Sequence, residues 1–173
     1  MKTFVRALAT LALLLPLGAG AQNSLMPEGS ATKAEGDFSA SLLITDDANW
    51  QQEWETPKGE VPNFRLANSV AVGGDLYVLA FLSNPKLDEA SMANVRCDLK
   101  VAHPDGTLSS DDHDLPCFVT RLESDPKRVY LSSVGLKFTA EEGDAKGTWT
   151  VGMAVHDKNR GVTLPLEATF ELR

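Results

Sequence analysis

The stretch GTWTVGMAVHDKNRGVTLPLEATFELR, residues 147–173, alternates large apolar residues with small or polar ones in two segments. The second segment runs from Val162 to Leu172, and the polar residues 157–161 (DKNRG) separate it from the first. A period of two is that of a β-strand with one buried face. The stretch therefore predicts an antiparallel hairpin. Pro165 has no N–H to donate, so it is expected at a sheet edge or a bulge.

Further strand patterns precede this hairpin. Residues 38–44 and 95–101 alternate in the same way, whereas residues 76–82 (LYVLAFL) are apolar at every position and must be covered on both faces. Residues 128–138 resemble one strand whose apolar phase slips at Ser132 and Ser133, as at a β-bulge. About seven short strands separated by turns predict an all-β sandwich, formed by one domain of residues 37–173.

A short N-terminal helix is expected after the first strand, because Asp46 or Asp47 can cap the residues that follow. Trp50 and Trp54 are four residues apart and share one face of it. One interpretation places both tryptophans over the doubly apolar strand 76–82. The other makes them a partner-binding interface, since tryptophan is frequent at interface hot spots.

Residues 136–138 (LKF) and 144–149 (DAKGTW), followed by the alternating segment that ends at Asp157, resemble the closing strands of bacterial exported immunoglobulin-like domains. Such domains place an Asp, a small residue and an aromatic at the corner before the penultimate strand. Trp149 stands where a tyrosine is more usual. The resemblance covers residues 69–173. It implies an immunoglobulin-like antiparallel sandwich that serves in adhesion, binding or scaffolding, and it implies no catalytic residues.

Cys97 and Cys117 are the two cysteines of the chain. In an oxidising compartment such a pair usually bonds to itself, and a loop of this length would add roughly 3 kcal/mol of stability. Cys117 lies well before the penultimate strand. The disulfide is therefore expected to join neighbouring middle strands and not to bridge the two sheets.

The N-terminus has the pattern of an export signal. Lys2 and Arg6 precede an apolar run that is too short to span a bilayer, and residues 19–21 (AGA) are small enough for signal peptidase. We expect a signal peptide at residues 1–21, a flexible leader at residues 22–36, no membrane span after cleavage, and a periplasmic or secreted protein.

The charge of the exported part excludes some partners. Without Lys2 and Arg6, 14 basic residues remain against 24 acidic ones, a net charge of −10. No basic stripe is present to neutralise phosphates, so nucleic acid and anionic lipid are poor candidates.

One segment, residues 109–114 (SSDDHD), could ligate a metal ion. Carboxylate and imidazole groups suit zinc or copper, and the carboxylates alone suit calcium. The spacing matches no EF-hand loop, and a solvated acidic turn is the ordinary explanation. The weak candidate ligands are Asp111, Asp112, His113 and Asp114.

No pattern indicates catalysis. The sequence has no Gly-x-Ser-x-Gly elbow and no glycine-rich phosphate loop, and a disulfide would occupy both thiols. We therefore expect a soluble binding or accessory module that acts without a cofactor, by non-covalent contact with a protein or cell-envelope component. The alternative is a periplasmic metal-binding protein that uses residues 109–114. A small hydrolase is a third hypothesis.

Overall fold

The computed structural model describes residues 26–27, 29–55 and 62–173. The predicted signal peptide lies outside this part of the chain. The described residues form ten strands and one short helix, which confirms the all-β sandwich and exceeds the seven strands expected. The elements are β1 (Ala31–Glu35), β2 (Phe38–Thr45), α1 (Trp50–Trp54), β3 (Ser69–Val70), β4 (Asp75–Ser83), β5 (Met92–Ala102), β6 (Leu108–Arg121), β7 (Val129–Leu131), β8 (Leu136–Thr139), β9 (Gly147–Asp157) and β10 (Val162–Leu172).

These strands form two sheets that face each other. In sheet I the order is β1-β2-β4, and both β7 and β8 pair with the far side of β4. In sheet II the order is β3-β10-β9-β5-β6. The pairs are antiparallel except for the short β3–β10 pair, which is parallel. The apolar faces of the two sheets meet in one core.

The predicted hairpin of β9 and β10 supplies much of that core. The alternating apolar residues of β9 are all buried, and Leu164, Leu166 and Phe170 of β10 lie against them. Pro165 pairs with Ala154 on the β9 side, while β3 reaches only the last two residues of β10. The other side of Pro165 is therefore a sheet edge, as its missing N–H requires.

Trp149 ties the start of β9 back to the residues that precede it. Its side chain is 2% exposed, and its indole Nε1 donates a hydrogen bond to the carbonyl oxygen of Ala145 at 2.8 Å. Phe138 packs against the ring at a centroid distance of 5.1 Å. The indole N–H of Trp149 thus closes the corner before β9.

The leader predicted for residues 22–36 is wrong at its C-terminal end, because β1 (Ala31–Glu35) pairs with β2 throughout its length. Residues 22–25 and 28 lie outside the described part. β1 is an edge strand and most of its residues are exposed, so backbone hydrogen bonds hold it and no apolar periodicity marks it. Gly36, with φ +58°, provides the tight turn into β2.

The bulge predicted within residues 128–138 is also wrong, since this stretch forms two separate strands. Ser132 N–H donates to Ala80 O of β4 at 2.8 Å. Ser133 N–H donates to Cys117 O of β6 at 2.7 Å. The connection between β7 and β8 therefore leaves its own sheet and ties the two sheets together at one edge.

The disulfide between Cys97 and Cys117 is formed and joins neighbouring strands of the same sheet, β5 and β6. The Cα atoms are 5.8 Å apart and both side chains are buried in the core. β6 is the outermost strand of sheet II and not a middle strand. The oxidised pair indicates an extracytoplasmic location. Within the described ranges, no helix has the length and apolar character that a membrane crossing needs.

Candidate functional site

The outer face of sheet I is covered by the chain itself. Trp54 packs on Phe81 of β4 at a centroid distance of 5.2 Å, and Phe64 packs on the same ring at 5.4 Å. Trp50 lies 6.5 Å from Tyr77. The two tryptophans therefore cover strand β4, as one interpretation of the sequence expected. Both remain half-buried, and their role as a partner interface stays a prediction.

The outer face of sheet II has no such cover. Among the described residues, the hydrophobic cluster outside the central core forms on sheet I, and no equivalent cluster forms on sheet II. A groove of about 520 Å³ lies on it. Its floor consists of Gly152 and Ala154 of β9, with Lys100 of β5 and Glu167 of β10 on either side. A Cβ at Gly152 would lie 2.6 Å from Lys100 Cε. The stem of Lys100 therefore lies across Gly152, in space that a side chain at position 152 would need.

Residues 109–114, expected to form a solvated acidic turn, are instead part of strand β6, so the predicted turn is wrong. β6 has 14 residues opposite the 11 of β5, and three register shifts absorb the difference. Because β6 is an edge strand, most of its residues are exposed on both faces and polar residues can follow one another. Asp114 sits at one shift with φ +51°, a left-handed conformation that aspartate tolerates.

This register shift places the carboxylate of Asp114 against the guanidinium of Arg96 on β5. Arg96 Nε and Nη2 donate to the two carboxylate oxygens of Asp114 at 3.1 and 2.8 Å, and Arg96 also contacts the Asp114 carbonyl oxygen. The hydrogen bonds from Arg96 lower the pKa of Asp114. Asp114 N–H donates to Asp98 Oδ1 at 2.9 Å, and this bond is the main cause that lowers the pKa of Asp98.

Two histidines converge on Asp98. His156 Nε2 lies 3.1 Å from Asp98 Oδ2, and His156 Nδ1 lies 2.9 Å from Thr163 Oγ1. His113 Nδ1 lies 3.6 Å from Asp98 Oδ1, and His113 Nε2 lies 3.3 Å from Asp111 Oδ1. A chain of alternating imidazoles and carboxylates therefore runs from His156 of β9 to Asp111 of β6. Three of its members line the groove, namely Asp98, His113 and Asp111.

The predicted metal ligands are not brought together as a set. Asp112 pairs with the inward-facing Leu99 and so belongs to the opposite face of β6, while Asp114 is held by Arg96. Asp111 and His113 do share the groove wall. The described part of the chain contains no group of three or more His, Cys, Asp or Glu side chains arranged to hold a metal ion.

Sequence reasoning missed Asp98 and His156 as site residues. Alternation in residues 95–101 places Asp98 on the outer face of its strand, which is a usable signal. It does not show that β9 lies beside β5 and sets Asp98 opposite Ala154, two residue pairs from His156.

Comparisons with known proteins show no family. No family model matches the chain, and no curated protein matches it. Among solved structures, a family 123 glycoside hydrolase from Clostridium perfringens matches with a TM-score of 0.44 and 12% identity, over 79% of this chain and 27% of that one. This chain thus spans about a quarter of that hydrolase.

Two smaller structures match over most of their own length. A Niemann-Pick type C2 protein from Japanese carpenter ant matches with a TM-score of 0.41 and 10% identity, over 76% of this chain and 89% of that one. The C-terminal domain of wzt matches with a TM-score of 0.41 and 9% identity, over 85% and 80% of the two chains. Likeness at this level indicates no shared activity.

Proposed function

We propose that this chain is an exported immunoglobulin-like binding module that contacts a protein or cell-envelope component through the outer face of sheet II. The observation that carries this proposal is the difference between the two outer faces. Helix α1 and Phe64 cover the outer face of sheet I, whereas none of the described residues covers the groove of sheet II, which is bordered by charged side chains. A concave surface with a few convergent polar groups is the usual form of a binding site.

Export is supported by two independent features. Residues 1–21 have the order of a secretory signal, with a basic start, a short apolar run and small residues at the end. The buried Cys97–Cys117 disulfide fits an oxidising compartment, either the periplasm or the exterior. The corner bond of Trp149 and the closing hairpin support the immunoglobulin-like assignment.

The face of sheet II is a better contact surface than the edge beside it. An exposed edge strand attracts further strands, but bulges, prolines and charges block such pairing. β6 has three register shifts and contains Pro116, and Ser133 already bonds to the carbonyl oxygen of Cys117. We therefore infer recognition by side chains across the face, and not by addition of a strand.

Site-specific photocrosslinking in the producing cell tests this proposal. A photoreactive amino acid replaces Glu167 at the groove, with Gln51 on α1 and Glu142 on the β8–β9 turn as exposed comparison positions. We expect a discrete crosslinked product from position 167 and none from position 142. A product from position 51 alone would move the interface to the tryptophan face. Equal labelling at all three positions would contradict a specific surface.

A further inference from the structure

Strand β10 has one edge that β9 does not use. The N–H of Glu171 points to this edge, because it donates to Asn68 O, just before β3, at 2.9 Å. In an extended strand the backbone groups of every second residue point to the same edge. The N–H groups of Glu167 and Thr169 therefore face the same way. Since β3 pairs only with the last two residues of β10, neither of them has a backbone partner on this edge among the described residues.

This edge differs from the β6 edge on the other side of sheet II. β10 pairs with β9 over its whole length without a register shift, whereas β6 has three shifts against β5. Pro165 removes one donor, so the usable part of the edge begins after Pro165 and ends where β3 begins to pair. It offers the N–H groups of residues 167 and 169 and the carbonyl oxygens of residues 165, 167 and 169. An additional strand pairs with such a row of groups.

A cleft of about 690 Å³ lies along this part of β10. Residues 167–169 of β10 form one side of the cleft, and Gly29 and Ala31 at the start of β1 line it as well. Residues 66–68 cross from sheet I to sheet II beside it, since the N–H of Ala67 donates to Ile44 O of β2 at 2.9 Å. β1 pairs with β2 and forms no ladder with β10. The cleft therefore gives access to the free backbone groups of β10.

An unpaired hydroxyl group lies next to the same cleft. Ser30 stands between two of the lining residues, Gly29 and Ala31. The hydroxyl oxygen of Ser30 is buried and has no hydrogen-bond partner in the described part of the chain. The large majority of buried polar atoms are hydrogen-bonded, so an unpaired one needs an explanation. A cleft that takes up a further chain, with polar groups of its own, would explain it.

We propose that this cleft binds an extended segment of a partner protein, which adds to sheet II as a strand beside residues 166–170 of β10. The site goes beyond the proposed function, because it lies at the edge of sheet II opposite to β6 and does not depend on the groove. Hydrogen bonds to the backbone of Glu167 and Thr169 would supply affinity, and alternate side chains of the segment would supply specificity. Those that point into the cleft meet Ala31 and Leu66, so small apolar residues suit every second position. A second copy is disfavoured, because each chain carries a net charge of −10 without residues 1–21 and two copies repel each other.

Backbone pairing is tested with two matched heptapeptides of alternating Val and Thr between terminal lysines. One has an ordinary backbone, and the other is N-methylated at its three central amides, so it keeps its side chains and loses donors. Binding to the intact exported chain is measured by NMR from the amide signals of Glu167 and Thr169. We expect the ordinary peptide to slow hydrogen exchange at both amides, and methylation to weaken binding by at least about fivefold, roughly the effect of one hydrogen bond. Equal binding of the two peptides would overturn strand addition.

Two pairs of variants test the position of the site. Thr169→Pro removes the N–H that faces the cleft, at an edge position where proline is tolerated, and Thr169→Val keeps that N–H. Ala31→Lys places a long side chain in the cleft, whereas Ala34→Lys places it on the other face of β1. We expect the first variant of each pair to weaken binding of the ordinary peptide at least about fivefold, and the second less than about twofold. Melting curves show which variants are folded, and either pair alone decides the position.

Three other results would overturn the proposal. Unchanged binding in the folded variants Thr169→Pro and Ala31→Lys would place the peptide elsewhere. Slow exchange at Glu167 and Thr169 without any peptide would show that the chain itself covers this edge. Protection that grows with protein concentration would make the occupant a second copy. These measurements concern the edge of β10, so their failure leaves the proposal for the outer face, which crosslinking tests, in place.

Discussion

The carboxylate of Asp157 accepts a hydrogen bond from the backbone N–H of Lys86 at 2.8 Å, although the two residues are 71 positions apart. Asp157 ends β9 and is 1% exposed. It also accepts bonds from the backbone N–H and the side chain of Arg160. Arg160 in turn donates to Asn84 O, so one buried acid fixes the β4–β5 connection to the β9–β10 turn.

We expect Asp157→Ala to lower the free energy of unfolding by about 2–4 kcal/mol, because the backbone N–H of Lys86 and the N–H groups of Arg160 lose their buried acceptor. Urea unfolding followed by circular dichroism measures this. The control is Asp125→Ala, which removes an exposed carboxylate that accepts one local bond, from Lys127 N–H, and should cost less than about 1 kcal/mol. Equal losses in both variants would contradict the role assigned to Asp157.

Trp149→Phe tests the corner hydrogen bond while it keeps an aromatic ring in the core. The variant loses the bond to Ala145 O and part of the ring volume, and we expect a loss of about 1–3 kcal/mol in unfolding free energy. Trp54→Phe is the matched control, since Trp54 is half-buried and contacts Phe81 by packing. It should cost less than about 1 kcal/mol. A larger loss at Trp54 would contradict the importance of the corner bond.

The β9–β10 hairpin is predictable from sequence because burial of one face imposes strict alternation over many residues. The same argument fails for β1, which is an exposed edge strand held by its backbone. It fails again for the two-residue β3, which is too short for any period. Sequence patterns report burial, so strands that bury little escape them.

The candidate site is predictable only in fragments. Alternation identifies Asp98 as outward-facing, and composition draws attention to His113 and its neighbours. The contact between Asp98 and the two histidines depends on the register shift at Asp114 and on the position of β9 beside β5. A local sequence pattern predicts neither of these. The pairing of strands that are distant in sequence therefore determines which side chains meet at the site. In the same way, the bond between Asp157 and Lys86 fixes the position of the β4–β5 connection.

Replacing the tryptophans of α1 distinguishes cover from interface. We expect Trp54→Ala to lower the free energy of unfolding by about 2–3 kcal/mol, because the half-buried indole loses its packing on the ring of Phe81. Phe64 packs on the same ring and would keep part of it covered. Val72→Ala, at a side chain that is 45% exposed, should change stability by less than about 0.5 kcal/mol. The two tryptophans would form an interface instead if Trp50→Ala and Trp54→Ala left the melting temperature unchanged and abolished crosslinking to the partner.

The Arg96–Asp114 contact predicts how stability depends on acid. The pKa of Asp114 is lowered in the folded protein by the hydrogen bonds from Arg96, and that of Asp98 is lowered by the N–H of Asp114. A lowered folded-state pKa means that the unfolded chain binds protons first as the pH falls. The stabilisation is therefore complete above the unfolded pKa of about 3.9 and is lost as the pH falls through the folded values.

We expect the free energy of unfolding to fall less steeply between about pH 5 and pH 2.5 in Asp114→Asn than in the unaltered protein, because one depressed carboxyl is gone. Urea unfolding at several pH values measures the slope. Asp112→Asn removes the carboxylate two positions earlier, which has no contact with Arg96, and should change the slope of unfolding free energy against pH less than Asp114→Asn does. Addition of salt should reduce the difference between the two variants, since exposed ion pairs are screened. An identical acid dependence in Asp114→Asn and the unaltered protein would show that Arg96 does not hold Asp114 in solution, and it would also remove the reason why Asp114 stands apart from the groove.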